Sequence, residues 1–178
     1  MRKYIVAFIL VLLVLPLVPK AQNSAVDKLF NKYSGKEGFT SVYISKYMFS
    51  LFSEVDESNK NKEMNDVISN LNSIRILALD QENPIKGINF YKEIMKELPQ
   101  TEYKELMVVK EKGQDLKFLV KDSNGRIVEL LLIIGGEQDN ALICIQGDDI
   151  DLKKINGLSK SMNIQGLEKL DKIDSKNK

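Results

Sequence analysis

The sequence predicts an α+β domain: a mostly antiparallel sheet of about six strands with amphipathic helices packed on it. Three segments repeat apolar residues at positions i, i+3, i+4 and i+7, the spacing of one helical face, and a fourth nearly repeats it. Six other segments are apolar runs of strand length, and the last four follow each other with only short turn sequences between them. Because strands joined by tight turns pair antiparallel, these four are expected to form a C-terminal four-strand meander.

The start of the chain predicts export. Arg2 and Lys3 precede an almost unbroken apolar run over residues 4–15, which Pro16 interrupts. A short positive region followed by an apolar run and small residues is typical of a secretory signal peptide. The alternative, an uncleaved anchor helix, needs about 20 apolar residues, and this run is shorter.

Signal cleavage is expected between Ala21 and Gln22, so that residues 1–21 form the signal peptide. No cysteine stands near this point, which excludes lipid attachment there, and we expect no stable membrane anchor after cleavage. The protein is therefore predicted to be periplasmic or secreted. The rest of the chain is predicted to form a single α+β domain over residues 22–163 and a polar tail over residues 164–178.

The composition excludes several classes of function. The 26 basic and 25 acidic residues nearly balance, which gives no electrostatic case for binding nucleic acid or an anionic membrane. Histidine is absent, which excludes Ser-His and Cys-His catalytic pairs and removes the commonest transition-metal ligand. The single cysteine, Cys144, excludes an intramolecular disulfide and is expected to be a small buried apolar group rather than a reactive thiol.

Four of the predicted helices each place their apolar side chains on one stripe. The four sets are Val26, Leu29, Phe30 and Tyr33; Met48, Leu51, Phe52 and Val55; Met64, Val67, Ile68 and Leu71; and Leu152, Ile155, Ser159 and Met162. Ser24 and Asp27 predict a capping box at the start of the first helix, and Gly35 predicts its end. A fifth helix is predicted over residues 85–98, ended by Pro99.

The predicted strands differ in how firmly the sequence sets their pairing. They span residues 39–44, 74–79, 105–111, 115–121, 126–134 and 140–146. The Asn124-Gly125 pair is the strongest hairpin signal in the meander. Helical segments and the polar linker over residues 54–63 separate the first two strands, so a parallel or crossover relation stays open for them.

The fifth strand is apolar on both faces. One face carries Val128, Leu130, Leu132 and Ile134, and the other carries Ile127, Leu131 and Ile133. Such a strand is usually central and covered on both sides, and the alternative is that one face awaits a partner. Glu129 interrupts the second face, and two interpretations stay open. It is an acid or base, or, more simply, an exposed or structurally paired carboxylate. The candidate partners are Arg126, Lys117 and Arg75, which shares a face with Leu77 and Leu79 in its own strand.

The glycine-containing segment SGKEG, residues 34–38, does not match a phosphate-binding loop. That loop needs G-x-x-x-x-G-K-[ST] before a helix, whereas here a predicted helix precedes the glycines and a strand follows them. We interpret Gly35 and Gly38 as a helix stop and turn. Ser45 is then expected to cap the next helix rather than to form a catalytic pair with Lys46.

A small acidic cluster precedes the last predicted helix. Asp148, Asp149 and Asp151 lack the ligand spacing, central glycine and distal glutamate of a calcium loop. Acidic residues suit the N-terminus of a helix, so we expect Asp149 or Asp151 to cap this one.

Five segments covering about residues 26–160 carry a family resemblance. They are FNKYSGKEGFTSVYISKYMF, IRILALD, FYKEIMKELP, YKELMVVKEKGQDLKFLVKD and QGDDIDLKKINGL. Through them the chain resembles an exported bacterial family, the domain-of-unknown-function family 4252. The resemblance implies a periplasmic cell-envelope protein and brings with it no activity and no site residues.

Two functions from different classes follow. The first is a non-enzymatic module that binds a protein, peptide or small ligand in the cell envelope. The alternative is a carboxylate-dependent hydrolase of envelope or glycan substrates, which needs two carboxyl groups about 5–10 Å apart. The sequence identifies no catalytic, cofactor-binding or metal-ligating residue, and no cofactor is expected.

Overall fold

A computed structural model describes residues 24–55, 65, 67–80, 85–137 and 139–155. It confirms the α+β class, with a six-stranded sheet and helices. The predicted signal peptide with its cleavage point, most of the predicted 54–63 linker and the predicted C-terminal tail lie outside the described residues. Within those ranges, no helix has the length and apolar character needed to cross a membrane.

The main elements alternate between helix and strand before the meander begins. The helices are α1 (Ala25–Tyr33), α2 (Lys46–Val55) and α3 (Phe90–Glu97). The strands are β1 (Phe39–Ser45), β2 (Leu71–Leu79), β3 (Tyr103–Glu111), β4 (Gln114–Ser123), β5 (Arg126–Gly136) and β6 (Asn140–Gly147). Residues 152–155 are also helical.

The sheet has the strand order β1-β2-β6-β5-β4-β3, and every neighbouring pair is antiparallel. The predicted four-strand meander is therefore confirmed, and the open relation between the first two strands proves to be antiparallel. β6 returns the chain to β2, so the meander and the first two strands form one continuous sheet with β1 and β3 at its edges.

Both faces of the central strands are covered. On one face α1 and α3 pack on Leu77, Leu131, Ile133, Leu142 and Cys144, a cluster that we call the upper core. On the other face Phe49, Val67, Ile68, Ile150 and Ile155 pack on Ile74, Phe118, Leu130, Leu132 and Ile143, the lower core. Cys144 has no exposed surface, and burial raises the pKa of its thiol, as expected for a small apolar core residue.

The predicted start and end of α1 are confirmed. The Ser24 hydroxyl accepts a hydrogen bond from the Asp27 N–H, and the Asp27 carboxylate accepts one from the Ser24 N–H. Gly35 and Gly38 have φ values of 75° and 78°, a left-handed conformation that glycine adopts without steric cost. The SGKEG segment is thus the turn that carries the chain from α1 into β1.

Two predicted helix boundaries are wrong. Leu71 belongs to β2 rather than to the preceding helix, because the chain is already paired with β6 at that residue. α3 begins at Phe90 rather than at Ile85, because the Asn89 side chain caps it by accepting from the Lys92 N–H at 2.8 Å. The corrected start makes Phe90 the first residue of α3 and places it in the upper core.

The face assigned to Ile127 is also wrong. Lys121 pairs with Glu129 and Asp122 pairs with Ile127, so Val128 is an extra residue in β5. Such a bulge reverses the alternation of side chains along the strand. Ile127 consequently packs against the lower core, although Leu131 and Ile133 lie in the upper core as predicted.

The apolar stripe predicted for α2, which begins with Met48 and Leu51, does not pack as its spacing suggests. Met48 and Leu51 are exposed, while Phe49 enters the lower core. β1 runs into α2 without a connecting residue, so the direction of the strand fixes the rotation of the helix. The result is an exposed apolar surface beside the edge strand.

Candidate functional site

A groove of about 500 Å³ opens on the upper face of the sheet between α1 and the edge strand β1. It exists because β1 lies at the sheet edge, where its upper-face side chains Ser41 and Tyr43 are exposed beside α1. Its lining comprises Asp27, Phe30 and Asn31 of α1, Ser34 directly after α1, Ser41, Val42 and Tyr43 of β1, Ser73 and Arg75 of β2, and Gln146 of β6. We call it the Arg75 groove.

Arg75 is the cation of this groove, and α1 fixes its position. Its Nη1 atom donates to Asp27 Oδ1 at 2.5 Å. The guanidinium carbon lies 4.1 Å from the centroid of the Phe30 ring, a cation–π distance. Asp27 is also the third residue of α1 and accepts from Ser24, so one carboxylate both caps the helix and holds the arginine.

The environment favours the ionised form of Asp27. Its partial burial would raise its pKa, but hydrogen bonds from Arg75 and Ser24 outweigh this and hold the pKa below its usual range. The ion pair is therefore present at neutral pH, and its two opposite charges cancel within the groove.

A second polar feature crosses the whole sheet on the same face. One residue from each strand contributes to it in register: Ser45, Ser73, Gln146, Glu129, Lys121 and Tyr103. We call it the polar row. Its members lie two residues along each strand from the row that contains Arg75 and Cys144, so both rows face the same way.

Glu129 sits in the polar row with both carboxylate oxygens occupied. Oε1 accepts from the Tyr103 hydroxyl at 2.7 Å, and Oε2 accepts from Gln146 Nε2 at 2.9 Å. Ser73 Oγ donates to Gln146 Oε1 at 3.2 Å, which links the row to the groove. Burial, reinforced by the Glu129 charge, raises the pKa of Tyr103, so its hydroxyl stays protonated as the donor.

The structural interpretation of Glu129 is therefore supported, but none of its predicted partners bonds to it. Arg75 pairs with Asp27 instead, and Lys117 pairs with Glu105 at 2.8 Å. Sequence reasoning placed Arg75 on the face of Leu77 and Leu79, which is the upper face of the sheet in the structure. It missed the pairing with Asp27 because that contact depends on how α1 lies across the sheet.

The acidic cluster after β6 has a capping role. Asp151 Oδ1 accepts from the Lys153 N–H at 2.9 Å, at the start of the helical residues 152–155, as predicted. Asp148 accepts from Asn72 Nδ2 at 2.9 Å and lies 3.6 Å from Lys46 Nζ. Among the described residues, no three cysteine, aspartate or glutamate side chains are grouped to hold a metal ion.

The polar groups that line the Arg75 groove can form hydrogen bonds with a ligand. Its lining offers serine hydroxyls, amides, a tyrosine and one neutralised ion pair, all of which form hydrogen bonds. No local pattern signals this set, because Ser34, Ser41 and Ser73 are of a common residue type and come together only in the folded chain. Ser34 and Ser41, for example, are bonded through their Oγ atoms at 2.9 Å across the α1–β1 turn.

Comparison with known proteins identifies a family. Residues 33–158 match the family model described as a domain of unknown function (DUF4252), a span that includes all six strands. No curated protein and no solved structure matched the chain. Since the family model covers well over half of the sequence, this chain belongs to the DUF4252 family.

Proposed function

We propose that this chain is an exported cell-envelope protein that binds a small neutral ligand in the Arg75 groove without transforming it. The export part is supported by the N-terminal sequence, whose charged start, apolar run and small residues are those of a signal peptide. The binding part is supported by one observation, the combination of an open groove with a charge-balanced, hydrogen-bonding lining.

Charge balance decides the class of ligand. In the described part of the chain, Asp27 and Arg75 are the two ionised groups of the lining, and they form an ion pair at 2.5 Å. A charged ligand would compete with one partner and leave the other without its counter-charge, which is unfavourable in a partly buried site. A neutral ligand can bond to the outer atoms of both without breaking the pair.

Hydroxyl groups fit the rest of the lining. Serine hydroxyls and amide groups each donate and accept, so they match ligands whose own groups do both. The Tyr43 ring, 68% exposed, offers an apolar face at the rim of the groove. A sugar ring has both features, with hydroxyls around its edge and C–H groups on its faces, and a neutral mono- or disaccharide is the ligand that we propose.

The hydrolase alternative gains no support from this geometry. Among the described residues that line the groove, Asp27 is the one carboxylate, and it holds Arg75. Glu129 lies outside the lining, with both of its oxygens engaged by Tyr103 and Gln146. Glycoside hydrolysis by a carboxylate mechanism uses two carboxyl groups facing one bond, and these two belong to separate hydrogen-bond networks.

Ligand binding is tested by titrating the purified protein with glucose, N-acetylglucosamine and maltose while recording amide NMR spectra. Binding should shift the signals of Ser41, Ser73 and Gln146. Replacing Tyr43 with alanine should raise the dissociation constant of the sugar about tenfold or more, because it removes the aromatic ring on which the sugar stacks. Tyr47→Ala is the matched control, since Tyr47 is 73% exposed and lies outside the groove.

The charged analogues glucuronate and glucosamine complete that experiment. Each should bind more weakly than its neutral counterpart, because each disturbs the Asp27–Arg75 pair. If none of the three neutral sugars shifts a groove signal, or if Tyr47→Ala weakens binding as much as Tyr43→Ala, the binding proposal is wrong.

Export is tested separately, by expressing the full chain with a C-terminal tag in a Gram-negative host. The mature protein should be recovered from the periplasmic fraction or the medium, with a mass that corresponds to a start at Gln22. Replacing Arg2 and Lys3 with glutamate should leave the uncleaved chain in the cell. Recovery of the unaltered chain from the cytoplasm with residues 1–21 attached would contradict the proposal.

A further inference from the structure

The exposed apolar side chains of this protein are concentrated in one place. Of the six large apolar residues that are exposed in the described part of the chain, five lie within residues 42–51. They are Val42, Tyr43, Tyr47, Met48 and Leu51, and we call them the β1–α2 surface. Soluble proteins usually scatter such residues singly, whereas these five lie within ten residues at one edge of the sheet, which favours an interaction there.

This surface lies at an edge of the sheet, and the two edges differ in kind. β3, at the far edge, carries Lys104, Glu105, Lys110 and Glu111 and has a register irregularity between Glu105 and Met107. Charges and bulges are the usual means by which an edge strand is protected from pairing with another chain. β1, with the sequence FTSVYIS, has neither charge nor bulge over its whole length.

We propose that β1 pairs antiparallel with β1 of a second copy of this chain, so that two six-stranded sheets join into one continuous sheet. The choice of partner follows from symmetry. Near a two-fold axis each residue meets its own copy or a close neighbour of it, so a charged strand would set like charges against each other. An uncharged strand has no such penalty.

The side chains of β1 also suit one another in this arrangement. With the axis at Val42, the midpoint of the strand, Ser41 lies opposite Tyr43 and Thr40 lies opposite Ile44. β-branched and aromatic residues are favoured in cross-strand pairs. Because α2 starts directly at the end of β1, this pairing places the start of each α2 beside Phe39 of the other copy, at the same sheet edge as the exposed Met48 and Leu51.

The association state of the exported chain is measured by light scattering coupled to size exclusion, over a series of protein concentrations. We expect twice the mass of one chain, and a return to the single-chain mass on dilution. Val42→Lys should raise the dissociation constant of the dimer at least about tenfold, since it places two ammonium groups at the two-fold axis. Ile85→Lys is the matched control, because Ile85 is 40% exposed, Val42 is 39% exposed, and Ile85 lies outside the β1–α2 surface.

A cross-link locates the interface independently of affinity. Residues directly opposite each other in an antiparallel pair have Cα atoms about 4.5–5.5 Å apart, within reach of a disulfide. Val42→Cys should therefore give a covalent dimer on mild oxidation, whereas Ile85→Cys should not, and the buried Cys144 should not contribute.

Three results would overturn the proposal. One is the single-chain mass at every concentration with no Val42→Cys dimer. Another is a dimer that Val42→Lys leaves intact. The third is a single-chain protein whose β1 amide NMR signals shift only when an extended peptide of a different sequence is added, which would make the surface a site for another protein.

Discussion

Replacing Phe90 with alanine is expected to lower the free energy of unfolding by about 3–5 kcal/mol. Phe90 has no exposed surface, and its ring centroid lies 5.4 Å from that of Tyr33 and 6.3 Å from that of Phe39. The three rings join α3 to α1 and β1, so the cavity would form where three elements meet. Domains of this size are stable by about 5–15 kcal/mol, and the loss is therefore a large share of the total.

The measurement is urea unfolding followed by circular dichroism, with Ile85→Ala as the control. Ile85 is 40% exposed, and its truncation should change the free energy of unfolding by less than about 0.5 kcal/mol. A loss of under about 1 kcal/mol for Phe90→Ala would mean that α3 contributes little to the upper core.

Local sequence patterns predicted most of the fold because the meander is built from local signals. Each of its strands is bounded by turn residues, and the Asn124-Gly125 hairpin is present, with φ values of 55° and 79° at the two positions. The capping box at Ser24 and Asp27 was predictable for the same reason, since both partners lie within one helical turn.

Features that depend on distant contacts were not predictable. The bulge at Val128 moves Ile127 to the lower core, and only the pairing with β4 reveals it. Phe49 rather than Met48 is buried because β1 leads into α2 without a connection. In α2 the packing partner decided which side chains of the helix were inside, whereas in β5 the bulge itself broke the alternation on which the prediction rested.

The candidate site was the least predictable part. The sequence indicated Arg75 and Glu129 as the ionisable residues of apolar strands, and both lie on the upper face as expected. Their partners come from α1, β3 and β6, at separations of 17–48 residues along the chain. A single sequence carries no signal for such contacts, so the groove appears only once the strand order β1-β2-β6 is known.

The role of Gly135 in the structure differs from the one that its position in the sequence suggests. The predicted strands 126–134 and 140–146 leave Gly135 in the turn between them, but β5 continues through Gly136, and Gly135 is a strand residue paired with Asn140. A Cβ atom at this position would lie 2.5 Å from both the backbone nitrogen and the Cβ atom of Tyr91 in α3. The glycine is therefore needed for the close approach of α3 to the sheet, not for chain reversal.

Gly135→Ala is accordingly expected to lower the free energy of unfolding by about 3 kcal/mol, at the upper end of the usual cost of overpacking. The methyl group meets backbone, which cannot rotate away as a flexible side chain could. It would also push α3 off Asn140, a buried side chain that accepts from the Phe90 N–H at 2.8 Å and donates to the Gly136 carbonyl at 3.0 Å.

Gly113→Ala separates this clash from the general effect of replacing a glycine. Gly113 has φ of 85° with no atom within 4 Å of an added Cβ, so its substitution has only the backbone cost of about 1–2 kcal/mol. Urea unfolding of both variants should therefore rank Gly135→Ala as the more damaging. The reverse order would show that α3 can shift away from β5 at little cost, and that the upper core does not depend on the close seating of this helix.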